Sequence, residues 1–148
     1  MAARYIFAAL AMGLALAAAQ PPGIKEVLAE PNLEKRSKLA LDNADAAYQA
    51  ARTAYDAGDT AKSTAELDEV KESVEVAYAS LEGTGKDPRK SPKWFKKAEM
   101  ETRDLLRRLQ SFQDAMSFAD RTSVDAVKAK VQQVHDDLLM GLMEGKRK

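Results

Sequence analysis

The chain has 148 residues, 23 basic and 23 acidic side chains and therefore a formal net charge of zero at pH 7, and it contains no cysteine. This balance disfavours nucleic acid as a partner, because nucleic-acid-binding domains are usually strongly basic. The lack of cysteine excludes disulfide bonds, thiol redox chemistry, c-type haem attachment and lipoprotein attachment. Stability must therefore come from a packed core alone.

The first 19 residues have the pattern of a secretory signal peptide. Arg4 precedes an apolar run from Tyr5 to Ala19, which is shorter than the roughly twenty residues of a membrane-spanning helix. Ala17 and Ala19 supply the small side chains that precede a cleavage site. We predict cleavage after Ala19 and a periplasmic or secreted mature protein without a transmembrane segment. An uncleaved membrane anchor is the alternative.

The mature chain divides into three parts. Residues 20–31 contain several prolines and predict an extended lead-in, in which at most one short helical turn docks through Ile24, Val27 and Leu28. Residues 32–145 predict one helical bundle domain, and residues 146–148 a basic tail.

Four segments between residues 33 and 145 repeat apolar or small residues at spacings of three and four, which is typical of amphipathic helices. The first, about 33–57, is lined mostly by alanine, so its backbone should approach a neighbour closely. The others are predicted over about 60–82, 92–118 and 122–145. In each helix the apolar or small residues at these spacings form a stripe that should face the core. The stripe of the second helix is Leu67, Val70, Val74, Ala77 and Leu81, that of the third is Ala98, Thr102, Leu105, Leu109, Phe112, Met116 and Ala119, and that of the fourth is Val124, Val127, Val131, Val134, Leu138 and Leu142.

Residues that end or cap helices separate these segments. Gly58 should end the first helix and Asp59 should cap the second. Ser91 and Pro92 should be the N-cap and first residue of the third helix. The sequence from Thr122 to Asp125 is similar to a capping box at the start of the fourth.

Long helices joined by short connections predict an all-α, antiparallel four-helix bundle of two hairpins. Similar spacings around Val70 and Val127 either reflect a duplication of the hairpin or the likeness of any two amphipathic helices. The run from Ala54 to Asp59 resembles the turn of a tetratricopeptide repeat, with Ala51, Ser63 and Leu67 at compatible positions. The resemblance implies a helical hairpin at this point. No peptide-binding residues are carried over, because these helices are longer than those of a repeat of about 34 residues.

The segment from Lys86 to Lys97 combines basic residues with the single tryptophan of the chain. Such a segment suits anionic lipid headgroups or an acidic protein surface. The other interpretation is a solvated loop whose aromatic pair caps the core, which the continuation of the helical stripe at Phe95 favours. The candidate contact residues are Arg89, Lys90, Lys93, Trp94, Lys96 and Lys97.

His135 is the only histidine and has Asp136 and Asp137 beside it. A di-iron bundle would need Glu at the position of Gln132, so a solvated or interfacial histidine is favoured over a metal ligand. The acidic residues of the second helix follow its polar side and indicate a solvated face rather than acid–base catalysis.

No catalytic, cofactor or metal motif stands out. The sequence therefore favours an exported, non-enzymatic helical module that binds a protein or envelope surface. A periplasmic bundle that binds a metal or small ligand through His135 and nearby carboxylates is the alternative. The biological process, the partner and the oligomeric state cannot be read from these residues.

The export hypothesis has a direct test. We expect the exported protein to begin at Gln20, because Ala17 and Ala19 place small side chains before that bond. Intact-mass measurement of protein recovered from the periplasm or medium checks this. A full-length mass in a membrane fraction would instead indicate the uncleaved anchor.

Overall fold

A computed structural model describes residues 23–146, which are all-α and contain no strand. The predicted signal peptide, residues 20–22 of the lead-in and residues 147–148 of the tail lie outside the described residues. Four long helices pack against each other, as predicted. The helices are α1 (Ile24–Ala29), α2 (Leu33–Asp56), α3 (Thr60–Gly83), α4 (Lys93–Ala115) and α5 (Thr122–Glu144), with a short 3₁₀ turn at Phe118–Asp120.

The turn between α2 and α3 forms as the sequence predicted. Gly58 has φ of 79°, a left-handed conformation that glycine adopts without strain. The amide of Asp59 then donates to the carbonyl of Ala54 at 2.8 Å, and its side chain accepts from the amide of Lys62 at 3.0 Å. One glycine and one aspartate therefore satisfy both helix ends.

The short helical turn expected within the lead-in is present as α1, which extends over six residues, although Leu28, one of the three expected anchors, is 48% exposed. Val27 is fully buried, and α1 packs against both α2 and α3. Burial of this one side chain outweighs the tendency of the surrounding prolines and glycine to keep the chain extended.

Two details of the second hairpin also differ from the predictions. Helix α4 ends at Ala115 rather than near Phe118, and Ala119 is exposed instead of buried. The capping box does not form, because Arg121 is the N-cap of α5 and makes no side-chain cap. The hydroxyl of Ser123 donates to the carbonyl of Asp120 instead. The predicted N-cap at Ser91 moves one residue, to Pro92.

The predicted stripes form one core, and residues such as Val70, Leu109 and Val131 are completely buried. Consecutive long helices run antiparallel, as predicted. The two hairpins lie side by side, so that α2 contacts α4 and α3 contacts α5. No helix within residues 23–146 has both the length and the apolar character needed to cross a bilayer.

The contacts between hairpins show that these neighbouring helices run parallel. Asp45 pairs with Arg108, and further along both helices the rings of Tyr55 and Phe112 meet edge to face, with their centres 5.6 Å apart. On the other side Glu75 pairs with Lys130 at 3.2 Å. Short turns impose antiparallel packing only on helices that follow each other in the chain.

The interface between α2 and α3 is the most extensive in the molecule. Its buried positions are mostly alanine and serine, and the Asn43 amide bridges the two helices by donating to Ser73 Oγ at 2.9 Å and to Glu69 Oε1 at 3.1 Å. Small side chains allow this close approach.

The assignment of buried and exposed positions on the helices predicts the effect of shortening a single side chain. Replacing Leu109, which is fully buried, with alanine should lower the free energy of unfolding by about 2–5 kcal/mol because a cavity remains. Leu139→Ala is the matched control, since Leu139 is 41% exposed, and it should change stability by less than about 0.5 kcal/mol. Urea denaturation followed by circular dichroism measures both, and equal effects would contradict this assignment.

Candidate functional site: a cationic corner of the bundle

The loop of residues 84–92 brings the end of α3, the start of α4 and the end of α5 to one corner. Lys86 pairs with Glu34 of α2 at 2.5 Å, and Lys146 donates to the carbonyl of Gly85 at 3.2 Å. Pro88 is buried and packs so closely on α5 that a side chain at Gly141 would meet it at 3.2 Å. These contacts hold the loop against the bundle.

Asp87 organises the turn that leads into α4. Its carboxylate accepts from the amide of Arg89 at 2.8 Å, and its carbonyl accepts from the amides of Lys90 and Ser91 at 3.0 and 2.9 Å. The side chains of Arg89 and Lys90 are thereby presented on a fixed turn, and both residues are exposed.

The five predicted basic contact residues all lie on the surface here, and we call them the cationic corner: Arg89, Lys90, Lys93, Lys96 and Lys97. Lys97 pairs with Glu101 at 3.2 Å. The other four make no ion pair with a described residue. The corner is therefore a cluster of cations largely without internal counterions.

The positive charge of the corner is unfavourable at the place it occupies, the N-terminus of α4. Lys93 and Lys96 lie in the first turn of the helix, which contains no acidic residue, and Pro92 makes no side-chain cap. The N-terminus of a helix carries a partial positive charge and is stabilised by anions. Helix stability therefore does not explain why lysines occupy this turn.

Trp94 and Phe95 have different surroundings from the cations next to them. Phe95 is buried and Trp94 is half-buried, and both pack on the core. The ammonium of Lys93 lies 5.1 Å from the centre of the Trp94 ring. The aromatic pair closes this end of the core, as the second interpretation of the segment expected, while the basic side chains around it remain accessible.

Three exposed apolar side chains near the corner were missed in the sequence. Met100 is 55%, Leu139 41% and Met143 70% exposed, and we call them the apolar trio. Leu139 and Met143 are four residues apart on α5, and both lie outside its buried stripe. Residues four apart lie on the same face of a helix, so this spacing could have indicated an exposed apolar pair from the sequence.

His135 bridges α4 and α5. Its Nε2 lies 3.0 Å from Oε1 of Glu99 and its Nδ1 lies 3.4 Å from Oδ1 of Asp136. Arg103 also approaches Glu99, at 3.7 Å. The histidine is interfacial, and residues 23–146 contain no group of three His, Cys, Asp or Glu side chains that could hold a metal ion.

The acidic residues of α3 lie on its outer side. Asp68 and Glu72 are exposed, while Glu69 and Glu75 are half-buried and bind Asn43 and Lys130. Each of these contacts joins α3 to a neighbouring helix. These carboxylates form a solvated face that also links the helices.

A cleft of about 400 Å³ lies beside the corner, between α3, α5 and the loop. Tyr78, Phe95 and Leu138 form its apolar wall, and both cations and acids, such as Lys86 and Asp137, lie around it. The cleft is therefore mixed in charge, in contrast to the corner.

Comparisons of the chain with protein-family models, with curated proteins and with solved structures found no match.

Proposed function

We propose that the protein is an exported, non-enzymatic helical module that docks onto an anionic envelope surface through the cationic corner. The surface is either that of a membrane or the acidic face of another envelope protein. The predicted signal peptide supports export, and the packed bundle supports a role as a scaffold that presents one charged end.

The observation that carries this proposal is the set of unpaired cations at the start of α4. Arg89, Lys90, Lys93 and Lys96 have no described acidic partner although the mature chain would carry slightly more acid than base. A helix N-terminus adds a further positive potential at the same place. An external anionic surface would neutralise both.

Charge reversal separates docking from folding. Lys90→Glu/Lys93→Glu should lower binding to anionic vesicles or to immobilised polyglutamate at least about tenfold, since each basic residue near such a surface contributes about 1 kcal/mol. The same variant should unfold at an equal or higher urea concentration, because a carboxylate in the first turn of α4 interacts favourably with the helix dipole, by about 0.3–1 kcal/mol. Binding of the unmodified protein should fall as salt is added.

The control variant is Lys62→Glu/Arg107→Glu, which changes the net charge equally at exposed positions away from the corner. It should retain binding. If both double variants lose binding to the same extent, net charge rather than the corner accounts for it and the proposal fails.

A second candidate function is binding of a metal or small ligand, and the contact of His135 with Glu99 and the neighbouring cleft favour it. Only two carboxylates contact the imidazole among the described residues, whereas zinc sites normally have at least three protein ligands. We expect elemental analysis of protein purified without chelator to give far less than one transition metal per chain. A stoichiometric metal that is lost in His135→Ala would establish this second function instead.

A further inference from the structure

We propose that the surface bound by the cationic corner is an anionic lipid bilayer, and that the apolar trio inserts into its interfacial region. This inference rests on the proposed function of the corner and names its partner. It assigns a role to Met100, Leu139 and Met143, which contribute to neither the core nor the ion pairs.

The packing of α4 against α5 places the trio on one outer face. Glu99 meets His135 at 3.0 Å, and the two helices are antiparallel, so residues before Glu99 lie opposite residues after His135. Lys96 and Met100 therefore flank Glu99 on the outer side of α4. Leu139 and Met143 occupy the matching outer side of α5, one and two turns beyond His135.

The charges beside the trio are of both signs, and the cationic corner adjoins them. Lys96 belongs to the cationic corner and lies one turn before Met100, and Arg103 follows on the same side of α4 with its guanidinium 3.7 Å from Glu99. Asp136 and Glu144 are exposed acidic residues of α5 close in sequence to Leu139 and Met143, and Asp136 accepts a hydrogen bond from Gln132 at 2.8 Å. The face thus combines exposed apolar side chains with the unpaired cations of the adjoining corner.

This combination matches a lipid surface better than an acidic protein surface. Basic residues bring a protein to anionic headgroups, and apolar side chains beside them enter the boundary with the acyl chains. The trio consists of flexible aliphatic side chains, which a fluid bilayer accommodates without a complementary pocket. Purely electrostatic docking on an acidic protein would not need them, and exposed apolar patches otherwise favour aggregation.

The test compares charge and apolar variants on two anionic probes. The probes are phosphatidylcholine–phosphatidylglycerol vesicles, measured by cosedimentation, and immobilised polyglutamate, measured by the salt concentration of elution. Leu139→Ser/Met143→Ser should reduce partitioning to the vesicles about tenfold, because two buried aliphatic side chains are lost, and should leave elution from polyglutamate unchanged. Lys96→Glu should weaken both interactions.

Phe118→Ser is the matched control, because Phe118 is 87% exposed but lies at the opposite end of the bundle. It should bind both probes like the unmodified protein. Urea denaturation of Leu139→Ser/Met143→Ser and Phe118→Ser should show little change in stability, since these positions are exposed. Lys96→Glu should unfold at an equal or higher urea concentration, because it places a carboxylate in the first turn of α4.

The outcomes separate the two proposals. If the unmodified protein binds neither probe, the proposed docking function fails and the lipid inference with it. If it binds both probes and the Leu139→Ser/Met143→Ser variant binds the vesicles equally well, docking stands but insertion is wrong. Loss of vesicle binding in the Phe118→Ser control would likewise overturn the inference, because apolar exposure anywhere would then suffice.

Discussion

The close packing of α2 against α3 is the constraint on which the rest of the bundle depends. Alanines such as Ala40, Ala44 and Ala51 are buried along α2, and small side chains let the two backbones approach. Asn43 adds specificity, because its amide is satisfied only when Ser73 and Glu69 of α3 lie opposite it. A buried amide without these partners would be costly, so one register of the hairpin is favoured.

The second hairpin packs on this first one by a different means. It contributes large side chains, such as Phe112, which meets Tyr48 and Tyr55 edge to face at 6.1 and 5.6 Å between ring centres. Polar contacts around them, among them the Tyr48 hydroxyl donating to the carbonyl of Arg108 at 3.0 Å, set the parallel alignment of α2 and α4. The two hairpins therefore have different interiors although their helices have similar lengths.

The side-by-side packing of the two hairpins is what brings the cations of the corner together. Side-by-side hairpins bring the start of α4 and the end of α5 together, and the loop of residues 84–92 is held there by Pro88 and Lys86. The cations are then displayed on a fixed frame, and fewer degrees of freedom need to be lost on docking than for a flexible basic tail. The proposed lipid contact uses the same frame, because the antiparallel alignment of α4 and α5 places the apolar trio beside Lys96.

Much of the fold could be predicted from local patterns. The four stripes and the turn at Gly58–Asp59 depend on helical periodicity and on backbone chemistry that acts within a few residues. Where an element was misplaced, distant contacts decide the outcome. Helix α4 ends early because the chain after Met116 turns to let Ser117 and Asp120 bind Tyr55 of α2.

For the site, the sequence by itself identified the basic residues and the tryptophan, since charge and residue type can be read directly. Only the tertiary structure decided that Trp94 is half-buried while its basic neighbours are exposed, that His135 meets Glu99, and that Met100, Leu139 and Met143 are exposed. The physical reason is that exposure depends on how a helix is rotated against its neighbours. That rotation is set by the sum of all the contacts in the core, and no local pattern in the chain contains it.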